Sequence, residues 1–154
     1  MDATAVHNII CDNRYLTLAT SNGIDVWICP LAYVFDDVRK CFYFYSALNS
    51  RHCRNIAVNP KGAIAIFNST SSFSDAIGLQ SAVDIDEVEG PELEGVIDSY
   101  FKKLFPDPKE RQKWQRPESD FSGEAPQRFY RLVPKDLFLN DVEGMIDMRR
   151  KVSL

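Results

Sequence analysis

The stretch Cys41–Pro60, CFYFYSALNSRHCRNIAVNP, decides how this chain reads. An aromatic strand, Cys41–Tyr45, runs into Ser-Ala-Leu-Asn-Ser. A short helix over Ser50–Val58 follows, with Arg51, His52 and Arg54 in its first turn. A helix N-terminus carries unpaired N–H groups and a partial positive charge, so Asp or Glu belongs there and cations do not. Basic residues at that end make sense around a bound anion, because helix N-termini bind phosphate. The plainer alternative is a solvated basic face, the ordinary fate of Lys and Arg.

Outward from this segment, short strands and tight turns dominate. Upstream, a helix is expected over Thr4–Cys11 and a strand over Tyr15–Thr20, where Leu16 and Leu18 alternate with polar residues. Ser21-Asn22-Gly23 is a turn, and Ile24–Phe35 returns as a second strand interrupted by Pro30, the mark of a strand edge or bulge. Downstream, Asn59-Pro60-Lys61-Gly62 stops the helix and Ala63–Phe67 forms the next strand. After a polar loop over Asn68–Asp75, Ile77–Val88 alternates in its later half. From Pro91, Leu93, Val96, Ile97, Tyr100 and Leu104 recur at helical steps as an amphipathic helix. Phe105–Gln127, rich in Pro and charge, is irregular with room for a helical turn near Lys109–Trp114. Gln127–Val133 and Asp136–Asn140 read as two final strands before a short basic tail.

Six to seven short strands joined mostly by tight turns, with two inserted helices, predict a mainly β, antiparallel, closed or partly closed barrel. The 154 residues suit a single domain spanning 1–154, and 45% hydrophobic with 26% charged residues marks a soluble globular chain. A formal net charge of −4 argues against nucleic-acid binding. No apolar run approaches the ~20 residues of a membrane span. No signal peptide is visible, and Cys11, Cys29, Cys41 and Cys53 lack metal or disulfide spacing, which fits a cytoplasmic location.

The ordered motifs resemble the pyridoxamine 5′-phosphate oxidase-like family of FMN-binding split β-barrels. Tyr15–Thr20, Ile24–Phe35, Tyr45-Ser46, Ser50-Arg51-His52, Asn59-Pro60, Ala63–Phe67, Gly78-Leu79-Gln80 and Tyr100–Pro106 carry the resemblance, which covers nearly the whole chain. It implies a Greek-key split barrel that dimerises with itself and binds FMN across the interface. By the same resemblance Arg51 and His52 hold the phosphate, Ser50 caps the helix, and Tyr45-Ser46 adds the Ser46 hydroxyl. Pro30, Leu31 and Ala32 offer backbone groups to the flavin ring, and Gln80 reaches it. Residues around Phe129-Tyr130 reach the partner's cofactor.

The chain departs from the family pattern at two places. His52 stands where the family has Lys, a cation whose charge depends on pH near neutrality. The oxidase's C-terminal Arg-x-His is replaced by Met148-Arg149-Arg150-Lys151-Val152. The expectation is therefore an FMN-dependent oxidoreductase acting on a small molecule other than pyridoxamine phosphate, with the flavin carrying the chemistry and no catalytic side chain nominated. The alternative is a binding or sensing barrel with weak or different cofactor, such as the deazaflavin F420 or haem.

Other residues have a functional and a structural reading. Asp84, Asp86, Glu87 and Glu89 could pair as catalytic carboxylates, or could line a solvent-facing strand end. Trp27 and Trp114 could stack on a flavin or pack in the core or a dimer. Cys53, one turn into the basic helix, could be an activated thiol or an idle one.

Overall fold

A computed structural model of the chain describes residues 2–72, 75–141 and 148–154. Helix α1 (Asp2–Asp12) buries Val6, Ile9 and Ile10, then releases the chain into strand β1 (Tyr15–Ser21). Strand β2 (Val26–Ala32) pairs back on β1, and β3 (Val34–Asp36) hands over to β4 (Cys41–Ala47). Helix α2 (Arg51–Val58) leads into β5 (Lys61–Phe67) and β6 (Gly78–Glu87). Helices α3 (Leu93–Leu104) and α4 (Pro108–Trp114) precede the long strand β7 (Gln127–Asp141) and the short β8 (Met148–Val152).

The strands form one curled sheet in the order β2-β1-β5-β6-β7-β4-β3, with β8 paired to β7 off this path and every described pair antiparallel. This is the mainly β, partly closed barrel that the strand pattern predicts and the split barrel that the resemblance implies, with seven strands on the path. Strand alternation divides the sheet into two faces. Inward lie Leu16, Leu18, Phe42, Phe44, Ile64, Ile66, Leu79, Val83, Ile85 and Leu132, which pack with α1 and α2 into one core. On the other side of β4 and β7, Tyr43 and Phe129 meet Val96, Ile97, Tyr100 and Phe101 of α3 in a second, aromatic core.

Four local expectations change. The segment Ile24–Phe35 is two strands at opposite ends of the sheet order, and the chain turns between them at Tyr33. That ring is buried and its hydroxyl donates to the Ile10 carbonyl at 2.6 Å, which ties the crossing to α1. Gln127–Asp141 is one strand and not two, because Pro134 sits where the β6–β7 register shifts between Ser81 and Val83. A bulge dispenses with the N–H that proline lacks. The end of the basic tail is the strand β8, held by backbone pairing from Leu137↔Val152 to Asp141↔Met148; the tail's first residues lie outside the described residues.

Pro30 stands where an edge residue should, since among the described residues β2 pairs with β1 alone. Gly62, read as part of a turn, is a strand residue instead. A Cβ there would lie 2.6 Å from the Ala19 carbonyl oxygen, so only glycine allows β1 and β5 this approach.

Candidate functional site

Helix α2 begins at Ser50, whose extended backbone (φ −67°, ψ 153°) and side chain cap the Cys53 N–H at 3.3 Å. No acidic residue occupies its first turn. The helix faces the sheet through Cys53 and Ile56, and Asn55 donates to the Thr20 hydroxyl at 3.1 Å. These contacts fix the N-terminal turn beside the end of β4, where Ser46 lies.

Ser46, Ser50 and His52 meet there. The His52 Nε2 is 2.7 Å from the Ser46 Oγ and 3.1 Å from the Ser50 Oγ. Its ring is 8% exposed and sits near Phe44, with centroids 6.3 Å apart. Burial disfavours the imidazolium and lowers the His52 pKa from its ordinary value of 6.5, so near neutral pH the ring is an uncharged partner of two hydroxyls. With His52 uncharged, the positive charge at this end comes from Arg51 and Arg54. The Arg51 guanidinium lies 4.5 Å from the centre of the Trp27 ring, and its Nη2 is 4.0 Å from an Asp25 carboxylate oxygen. Arg54 turns back to the Asn49 carbonyl. The donor set at the helix start is therefore two hydroxyls, one imidazole, one guanidinium and the first-turn N–H groups.

A second group of predicted residues lies on the outer face of the sheet. Thr17 is opposite Pro30 on one side and Ala65 on the other, and Ala65 is opposite Gln80. Pro30, Thr17, Ala65 and Gln80 thus form one row across four strands, spanning roughly 14 Å at the usual strand spacing. The neighbouring row is Ile28, Ala19, Ala63 and Ala82. The Gln80 Oε1 accepts from the Arg149 Nε at 3.0 Å. Small side chains leave this face smooth, and Val26 (71% exposed), Ile28 (61%) and Phe67 (55%) make it apolar toward its margins.

Other predicted residues go elsewhere. Leu31 packs against the inner core, opposite Leu16, while Ala32 at the strand end accepts the Tyr100 hydroxyl at 3.2 Å. Tyr45 points away from Ser46, as strand alternation requires, and its ring lies among Tyr100, Phe101, Phe121 and Phe129 at 5.2–6.0 Å. It belongs to the aromatic core and not to the serine–histidine group. Phe129 and Tyr130, expected near a partner's cofactor, are buried within the chain, Tyr130 stacked on Phe44 at 5.2 Å. The acidic residues of β6 are paired: Asp84 with Lys135 at 2.6 Å, Glu87 with Arg128 at 2.8 Å and Asp86 with Arg131 at 3.8 Å. That agrees with the solvent-facing reading. Trp114 stacks on Phe105 at 5.9 Å, and Cys53 is buried. Asp25 and Arg149 carried no sequence signal beyond their charge.

Among the described residues no cluster of His, Cys, Asp and Glu could hold a metal ion, and no helix is long and apolar enough to cross a membrane. The curled sheet with its capping helix defines the chain as a split β-barrel. Two solved structures share that fold at low identity. HutZ, the haem storage protein from Vibrio cholerae, superposes with a TM-score of 0.66 and 17% identity, covering 88% of this chain and 92% of that one. An FAD-binding protein from Mesorhizobium loti gives 0.64 and 18%, covering 90% and 94%. The chain belongs to the UPF0306 family: it is 30% identical over 101 residues to a UPF0306 protein of Photorhabdus laumondii, across 66% of this chain and 70% of the relative. No family model matches it.

Proposed function

We propose that this chain is a flavoprotein that binds FMN as a homodimer and passes electrons or hydride to a small molecule. The observation that carries the proposal is the start of α2, where Ser46, Ser50 and His52 meet and Arg51 is the first helical residue. Two hydroxyls, a guanidinium and first-turn N–H groups suit a phosphate monoester, which accepts hydrogen bonds on several oxygens. Arg51 supplies the charge, and His52 orients the two hydroxyls from its buried position.

The smooth row from Pro30 to Gln80 supports the rest of the reading. A planar ring lies well on alanine and threonine side chains, and Gln80 offers a polar group at its margin. The apolar outer face gives a second copy a reason to bind, since an edge strand and exposed Val26, Ile28 and Phe67 are otherwise left to water. FMN, when bound, supplies the redox chemistry. The test is titration of FMN into the flavin-free protein, followed by flavin fluorescence. Tight binding that Arg51→Ala weakens supports the proposal, and a protein that takes up no FMN overturns it.

A second reading is haem binding, which the likeness to HutZ favours. His52 is buried against two serines, and His7 lies on α1 beside Cys11, so neither histidine is presented to the smooth outer face. A Soret band on adding haemin, with no uptake of FMN, would favour it.

A further inference from the structure

Arg51 is steadied from outside its own helix, by the hairpin that joins β1 to β2. The turn is closely bonded. The Asn22 Oδ1 accepts from the Ile24 and Asp25 N–H groups at 2.9 and 2.8 Å, and the Ser21 Oγ accepts from the Gly23 N–H at 3.0 Å. Helix α2 grips the same hairpin. Asn55 donates to the Thr20 hydroxyl, Asn59 donates to the Ser21 carbonyl at 3.2 Å, and Thr20 is the register partner of Trp27. Trp27 and Asp25 are thus set beside the first turn of α2 by bonds that do not involve Arg51.

The two contacts on Arg51 differ in kind. Its Cζ lies over the Trp27 ring, and a cation held on a ring face keeps its N–H donors, which radiate from the edge of the guanidinium. Asp25 approaches that edge, but loosely. At 4.0 Å the pair is longer than a hydrogen bond, and its side chains are 43% exposed for Arg51 and 65% for Asp25. Such an exposed pair is weak in water and yields to a better partner. A phosphate monoester is one, since it carries more charge than a carboxylate and accepts on more oxygens.

We propose that Trp27 and Asp25 act in opposition on the phosphate cation. Trp27 is a positioning residue, which holds the Arg51 guanidinium by its face and leaves its edge for a phosphate. Asp25 is the counter-ion that the phosphate displaces. Resting on the flavin reading, the hairpin thereby sets the affinity for the FMN phosphate from both directions, and neither residue touches the flavin ring.

Calorimetric titration of the flavin-free full chain with FMN, riboflavin and inorganic phosphate tests the arrangement. Trp27→Leu should weaken FMN about fivefold, and Trp27→Phe should recover part of the loss, because a smaller ring face still attracts a cation. Riboflavin, which has no phosphate, should bind both variants as it binds the parent. Asp25→Asn should tighten FMN about threefold, the strength of an exposed ion pair. That gain should be lost in an Arg51→Ala background, since a general charge effect would survive there and a displaced partner would not. Should Trp27→Leu fail to fold, Asp25→Asn, on an exposed turn, still decides. Riboflavin weakened as much as FMN by the Trp27 substitutions overturns the proposal, as does an Asp25→Asn gain that persists without Arg51. The outcome is separable from the flavin reading. Inorganic phosphate that responds to Asp25→Asn and Trp27→Phe in a protein taking up no FMN keeps the arrangement and drops the flavin. FMN bound with an affinity indifferent to both residues does the reverse, and a protein that binds neither ligand loses both readings.

Discussion

Across β1, β5 and β6, the inner face carries Leu16, Leu18, Ile64, Ile66, Leu79, Val83 and Ile85, all buried. The outer face of the same strands carries Thr17, Ala19, Ala63, Ala65, Gln80 and Ala82. Inside, branched and aromatic side chains fill the space between the sheet and the helices α1 and α2. Outside, the side chains are short and the surface is level. The contrast teaches that the two faces answer to different requirements. One is finished by the chain itself, while the other is left level and open, and it is there that the proposed cofactor and second subunit would lie.

The largest expected effect falls on the inner face. Phe44 is fully buried against Tyr130, so Phe44→Ala should lower unfolding free energy in urea by about 3–5 kcal/mol. On the outer face, Ala63→Glu should leave that free energy within about 0.5 kcal/mol. If the proposed dimer forms on this face, the substitution should weaken self-association by several kcal/mol, roughly a hundredfold or more by sedimentation velocity, because the two copies would then bring like charges together. If Ala63→Glu unfolds the monomer, or leaves its association unchanged, the contrast between the faces fails.

At the rim between the faces, Arg51→Ala should weaken FMN binding by about 1.5–3 kcal/mol, roughly ten- to a hundredfold, by fluorescence titration. His52 should report through pH. Its folded-state pKa is lowered by burial, so its contribution to stability is complete above about pH 6.5. As pH falls below that value, the unfolded chain takes up the proton first and stability is lost. His52→Gln should flatten the pH dependence of urea unfolding in that window and leave the alkaline side unchanged. The smallest effect belongs to Tyr45→Phe, which should change stability by no more than about 0.5 kcal/mol and leave FMN affinity alone, since the ring only packs among other aromatics.

The inner face was legible in the sequence, because alternation in Tyr15–Thr20 and the later part of Ile77–Val88 reports burial directly. The helix start at Ser50 was legible too, through its capping residue and its misplaced cations. The outer rows were not. Alanine and threonine in a strand carry no periodic signal, and which of them line up depends on register between strands far apart in sequence. The aromatic run Phe42–Tyr45 hid a similar division, since both of its faces are buried and alternation by hydrophobicity vanishes. Only the second core beneath α3 reveals why Tyr45 turns away from Ser46.

Strand β7 has a consequence for how the molecule comes to be. Its first half pairs with β4 and its second with β8, while β6 runs along its other edge. Every strand from β1 to β6 is thus synthesised before the one that joins β6 to β4 exists. A nascent chain stopped short of Gln127 would hold two separate sheet fragments with raw edges and a half-covered aromatic layer. Barrel closure is a late and long-range event, of the kind that slows folding and exposes a chain to aggregation while it waits.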